Sequence, residues 1–131
     1  MERVNATSQA QASYRVKKSM KRGCFITTAA CEVMGKSDDC PELETLRHFR
    51  DVYMLADDDG KSMVQEYYEI APAIIEKIKT DYPEGWKQIF ESLFHRFITP
   101  AVQAIESGDN VKALQLYVCL YVVAKTAAWG A

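Results

Sequence analysis

From Lys61 to Thr80 the apolar residues Met63, Tyr67, Ile70, Ala71, Ile74 and Ile78 recur at intervals of three and four. That period matches the roughly 3.6 residues of a helical turn and excludes a strand, whose faces alternate every second residue. The six positions cover nearly half of the circumference, so this helix has to be central, with others packed around it. Pro72 falls inside it and predicts a kink, because proline lacks the amide proton of a helical hydrogen bond.

The rest of the chain supplies helical neighbours. Asp38 or Asp39 is placed to cap a second helix, with Pro41 in its first turn and Glu42 and Glu44 at the positive end of its dipole. That helix is expected to run to Ala56 and to stop at a loop from Asp57 to Gly60. After Pro83, the series Trp86, Ile89, Phe90, Leu93, Phe94 and Phe97 predicts another helix, bent or broken at Pro100. Val102 and Ile105 continue to Gly108, and Asp109 caps a last helix carrying Val111, Leu114, Val118, Tyr121 and Val122. A short buried helix over Cys24 to Met34 is expected to end at Gly35. The β-branched Ile26, Thr27 and Thr28 leave a strand open for its first residues. A basic helix over residues 13–22 would end at Gly23, and the first dozen residues, polar and small, are expected to fray. The fold class is therefore all-α: a single-domain bundle of five to six helices over residues 13–131, with 83–128 as its C-terminal part.

At 131 residues the chain is long enough for one core and no more. Its 48% hydrophobic and 26% charged residues match an ordinary globular protein, and a net charge of −2 gives no general attraction to nucleic acid. Arg15, Lys17, Lys18, Lys21 and Arg22 form a basic run, and Asp57, Asp58 and Asp59 an acidic one. No uninterrupted apolar stretch reaches the roughly 18–20 residues of a membrane span, so no transmembrane segment is expected. The opening residues lack an apolar signal core, which makes a cytoplasmic location the expectation and free thiols the default for the four cysteines.

Three of those cysteines fall in Cys24-x6-Cys31-x8-Cys40-x7-His48, a legal zinc set by ligand type. No short C-x2-C knuckle is present, and on a helix Cys24 and Cys31 stand about 10 Å apart along the axis, too far to share an ion or a disulfide. No metal or other cofactor is expected. A disulfide between Cys31 and Cys40, across the turn at Gly35, is the one bridge the spacing allows. Cys119 is expected in the core. Cys24 follows Gly23 and the basic run at a helix start, both of which favour a thiolate, so it is the candidate nucleophile. Its general base would have to be His48, which lies off its helix's apolar face, or His95, beside the aromatic stripe.

Arg50 falls in the middle of the face formed by Leu43, Leu46, Phe49, Tyr53 and Met54, with Arg47 at its border and Asp51 beyond. A guanidinium there must be paired, because burying it alone is very costly. Either an internal ion-pair network ties two helices, or Arg47 and Arg50 line a pocket for a carboxylate or phosphate, with Tyr67 and Tyr68 beside it.

These residues also carry a pattern. Gly23-Cys24-Phe25-Ile26-Thr27-Thr28-Ala29-Ala30, then Leu46-Arg47 and Phe49-Arg50-Asp51, then Tyr67-Tyr68 and Ala71-Pro72 resemble the bacterial CFI-box domain, named for its Cys-Phe-Ile. The resemblance spans about residues 23–78. It implies a bacterial module often found at the C-terminus of larger proteins, with a suggested sorting or anchoring role. Here the box lies near the N-terminus and helices follow it. Cys24, Arg47, Arg50, Asp51, Tyr67 and Tyr68 carry over from the pattern; Cys31 stands where many members carry an aromatic residue. The expected function is a non-enzymatic helical module that binds a protein partner or a small anionic ligand through an arginine-lined pocket, with self-association compatible. The alternatives are a thiol enzyme or covalent-modification site at Cys24, and a small phage or host-defence regulator.

Overall fold

A computed structural model describes residues 25–130; Cys24, the basic segment and the residues before it lie outside that range. The described residues form helices and no strand: an all-α bundle. In chain order these are α1 (Phe25–Val33), α2 (Pro41–Val52), a 3-10 turn (Met54–Ala56), α3 (Asp58–Asp81), α4 (Trp86–Leu93), a π-turn (Phe94–Ile98), α5 (Thr99–Glu106) and α6 (Asn110–Trp129).

Helix α1 forms despite its β-branched start, because Ile26, Thr27, Ala30 and Cys31 are buried against α3 and α4. Packing here overrides intrinsic propensity. Gly35 ends it at φ 77°, where the Gly35 amide bonds Glu32 O at 2.9 Å and the Lys36 amide bonds Cys31 O at 2.9 Å. This pair of bonds satisfies the last carbonyls and needs a left-handed residue at its centre, which glycine adopts without a Cβ penalty. Gly108 repeats the device at the end of α5, with Asp109 N bonding Ala104 O at 2.8 Å.

The start of α2 differs from expectation. Cys40, not an aspartate, is the N-cap residue and makes no side-chain cap bond, while Asp38 is drawn off by Arg47. The helix stops at Val52, and Met54–Ala56 tightens into a 3-10 turn. Helix α3 then begins at Asp58, three residues earlier than the apolar period predicts. Asp57 caps it by accepting from the Gly60 amide at 2.8 Å, so the acidic triplet and Gly60 belong to the cap and first turn. Pro72 sits within α3 on its exposed side.

The predicted break at Pro100 takes a specific form. The chain passes from α4 to α5 without a loop, widening into the π-turn, where Thr99 N–H reaches back five residues to Phe94 O. Proline has no proton for the next bond and its ring crowds the preceding turn, so a wider turn accommodates it. The widening leaves Phe94, Phe97 and Ile98 all buried.

Helix α6 packs against α3, α5 and the π-turn. Its buried side is Ala113, Tyr117, Leu120, Tyr121, Ala124 and Ala128, and the alanines allow close approach. Of the expected core stripe only Tyr121 is buried; Val111 and Val122 are 62% and 51% exposed, and Cys119, expected inside, is exposed as well. The helix is apolar on nearly every side, so its sequence does not fix which face turns inward. For the same reason α6 bears on a second expectation, that of no membrane span. It is long and apolar enough to cross a membrane by length and composition, with about 33% of its most apolar window buried. Lys112 and Lys125 interrupt the uncharged run but do not offset its mean.

Tyr67 joins three helices. Its ring packs edge-on with Tyr117 and Tyr121 of α6, at centroid distances of 6.2 and 5.7 Å. Its hydroxyl accepts the Ile26 amide of α1 at 2.8 Å, satisfying one of the orphan donors of that helix's first turn.

Candidate functional site

Arg47 and Arg50 are both buried, at 4% and 2% exposure, and they diverge. Arg47 reaches back to the turn before α2, donating from Nη1 to Asp38 O at 2.6 Å and from Nη2 to Asp38 Oδ1 at 2.8 Å. Glu44 Oε2 stands 3.8 Å from Nη1. Two charge-assisted bonds to one residue fix the turn, and Arg47 is a structural pin. Its Nε is buried without a hydrogen-bond partner.

Arg50 turns toward α3. Nε donates to Asp51 Oδ1 at 2.8 Å and Nη1 donates to the Tyr68 hydroxyl. The guanidinium carbon lies 5.8 Å from the centre of the Tyr68 ring, which itself meets Phe25 edge-on. Both residues line an open cleft of about 510 Å³ between the 3-10 turn and α3, completed by Leu55, Lys61, Val64, Gln65 and Glu69. Leu55 and Val64 make an apolar wall. Arg50 and Lys61 supply positive charge, partly offset at Arg50 by Asp51, while Glu69 accepts from Gln65 Nε2 at 3.3 Å. A cleft of this size, mostly apolar with a few fixed polar groups, has the make-up of a small-molecule site.

The expected site residues therefore divide. Arg50, Asp51 and Tyr68 come together at the cleft; Arg47 and Tyr67 do not. Tyr67 lines a small closed space with Met54, Met63, Tyr117 and Tyr121. Lys61, Gln65 and Glu69 were missed, although their spacing of four along α3, adjoining Tyr68, places them on one face.

Cys24 lies outside the described residues. His48 and His95, the two imidazoles considered as its base, are both exposed. Cys31 and Cys40 are buried free thiols whose side chains meet, with no disulfide between them. Burial pushes the Cys31 thiol far above its ordinary range, helped by Cys40 and Glu42 and opposed by Lys36. Burial also pushes the Glu42 carboxyl up, but its own backbone amide, Lys36 at 3.2 Å and Cys40 outweigh it and hold it below the usual carboxylate range. Among the described residues no group of three or more His, Cys, Asp or Glu is arranged to hold a metal ion.

Comparison with protein-family models, curated proteins and solved structures finds no match for the chain.

Proposed function

We propose that this chain is a non-enzymatic helical binding module whose Arg50–Tyr68 cleft takes a small ligand bearing a carboxylate or phosphate. The observation that carries this reading is a buried guanidinium on the wall of an open cleft of about 510 Å³. Arg47 is engaged with Asp38 in the turn before α2, whereas Arg50 lines the cleft. Arg50 is oriented by Asp51 at Nε and by Tyr68 at Nη1, which holds the cation in place before a ligand arrives. Lys61 adds a second, exposed cation on the cleft, and Leu55 and Val64 suit an apolar body on the ligand. We further propose that the CFI-box resemblance reflects this arrangement, since four of its residues, Arg50, Asp51, Tyr68 and Phe25, meet at or beside the cleft.

Phenyl phosphate and benzoate are suitable probes, titrated into the labelled protein while backbone amide shifts are followed by NMR. Saturable shifts at Leu55, Lys61, Gln65 and Tyr68 are expected, weakened at least about fivefold in Lys61→Glu, where a rim attraction becomes a repulsion. Lys61 is exposed, so this variant is expected to fold normally. Linear, unsaturated shifts with both probes, unchanged in Lys61→Glu, would overturn the proposal.

A further inference from the structure

Two of the buried core side chains are thiols, those of Cys31 and Cys40. They stand on either side of the turn that joins α1 to α2, Cys31 in the last turn of α1 and Cys40 at the start of α2, and their side chains meet. The backbone between them is tightly folded. The Lys36 amide bonds Cys31 O at 2.9 Å and the Cys40 amide bonds Ser37 O at 3.1 Å, while Arg47 holds Asp38 in the middle. Lys36 and Glu42 flank the pair, bonded to each other at 3.2 Å.

We propose that Cys31 and Cys40 form a redox-active dithiol, a modification site whose co-reactant is a hydroperoxide and whose product is a reversible intrachain disulfide. The two cysteines have unequal roles. Cys40 is the N-cap residue of α2 and keeps 6% exposure, whereas Cys31 is fully enclosed. Cys40 is therefore the sulfur that the peroxide reaches first. Its thiolate displaces hydroxide from hydrogen peroxide by taking one oxygen, giving a sulfenic acid. The Cys31 sulfur then attacks the Cys40 sulfur, and its proton leaves with the hydroxyl as water. Summed, two thiols and one hydrogen peroxide give one disulfide and two waters. The contact between the two side chains already brings the second sulfur to the first. Hydrogen peroxide is little larger than water, and residues Ser37, Asp38 and Asp39 of the intervening turn are all exposed, which gives it the shortest approach to Cys40.

The test uses the full chain, folded and fully reduced, treated with hydrogen peroxide and quenched with catalase. It is then denatured in N-ethylmaleimide, digested without reduction and mapped by mass spectrometry. A cross-linked peptide joining Cys31 to Cys40 is expected, abolished by dithiothreitol, with the chain still monomeric on a non-reducing gel. In Cys31→Ser the reaction is expected to stall, so that dimedone traps a sulfenic acid on Cys40. Recovery of Cys31 and Cys40 as maleimide adducts while the exposed Cys119 is oxidised would overturn the proposal. A bridge from Cys31 to Cys24 instead would overturn it equally. The wild-type map decides the matter alone if Cys31→Ser does not fold.

Discussion

Replacing Gly60 by alanine is expected to destabilise the protein, against the direction that helix propensity alone predicts. Gly60 lies in the first turn of α3, and alanine at a helical position is ordinarily better than glycine by about 1 kcal/mol. A Cβ added here, however, would stand 2.7 Å from the carbonyl carbon of Met54 and closer still to its oxygen. Both are backbone atoms of the residue that opens the 3-10 turn, so no side-chain rotation relieves the overlap. Asp57 Oδ1, which caps α3 through the Gly60 amide, would be 3.2 Å away on the same side. Relief must come from moving the 3-10 turn away from α3, which disturbs the cap and the buried Met54. Overpacking of this kind costs about 1–3 kcal/mol in cores that can adjust, and the upper end applies where the obstacle is main chain. Subtracting the propensity gain leaves a net loss of about 2 kcal/mol.

For a chain of this length that corresponds to a fall of roughly 6–12 °C in melting temperature, at about 3–6 °C per kcal/mol. Guanidinium denaturation followed by circular dichroism gives the free energy, and an unchanged slope shows that the unfolded state is not the cause. Gly60→Ser should behave in the same way, since it too adds a Cβ. A Gly60→Ala variant as stable as the wild type, or more stable, would refute the close approach of Met54 to α3. The same variants probe the candidate cleft, because Leu55 and Lys61 flank this contact.

Two further predictions rest on buried hydroxyls. Tyr67→Phe keeps the ring contacts with Tyr117 and Tyr121 but leaves the Ile26 amide without its acceptor; a loss of about 1–3 kcal/mol in chemical denaturation is expected, and none would refute the capping role. Tyr121, whose hydroxyl donates to Glu66 at 2.7 Å, is pushed up to about 12 by burial and by that carboxylate. The folded chain thus keeps a proton that an unfolded tyrosine loses near pH 10, so this contribution is complete below about pH 10 and drains away between about 10 and 12. Melting temperature should fall more steeply over that window in wild type than in Tyr121→Phe; parallel curves would refute the assignment.

Most of the fold was legible because its punctuation is chemical. Gly35 and Gly108 end helices where a left-handed residue is required, and Asp109 begins one by accepting an amide proton. What the sequence hid has physical causes too. Gly60 looks like a helix breaker, yet it is glycine because a neighbouring carbonyl occupies the place of its side chain. Helix α6 is apolar almost all round, so the inward face is chosen by where alanines let α3 and α5 approach, which no period within α6 reveals. The π-turn follows from Pro100, but whether a chain answers proline by breaking or by widening depends on the packing of Phe94 and Phe97.

The candidate site was legible in its residue types but not in its grouping, and the two arginines explain why. Residues three apart on a helix are neighbours, about 60° and 4.5 Å from each other, so Arg47 and Arg50 appear to share one site. A guanidinium, however, ends a long side chain, and its position is set by what holds it. Asp38 reaches Arg47 because Cys40 has taken the N-cap position that an aspartate would otherwise fill. That substitution both frees an aspartate to pin the turn and places a thiol beside Cys31. Arg50, one turn further on, has Asp51 next to it and Tyr68 across from it, so its charge is delivered to the cleft instead. The turn fixed by Arg47 sets where α2 begins, and hence where Arg50 stands relative to α3. Closing a bond between Cys31 and Cys40 would tighten that same turn. Oxidation of the proposed dithiol would therefore act on the start of α2, and any shift of that helix would be felt at the Arg50–Tyr68 contact.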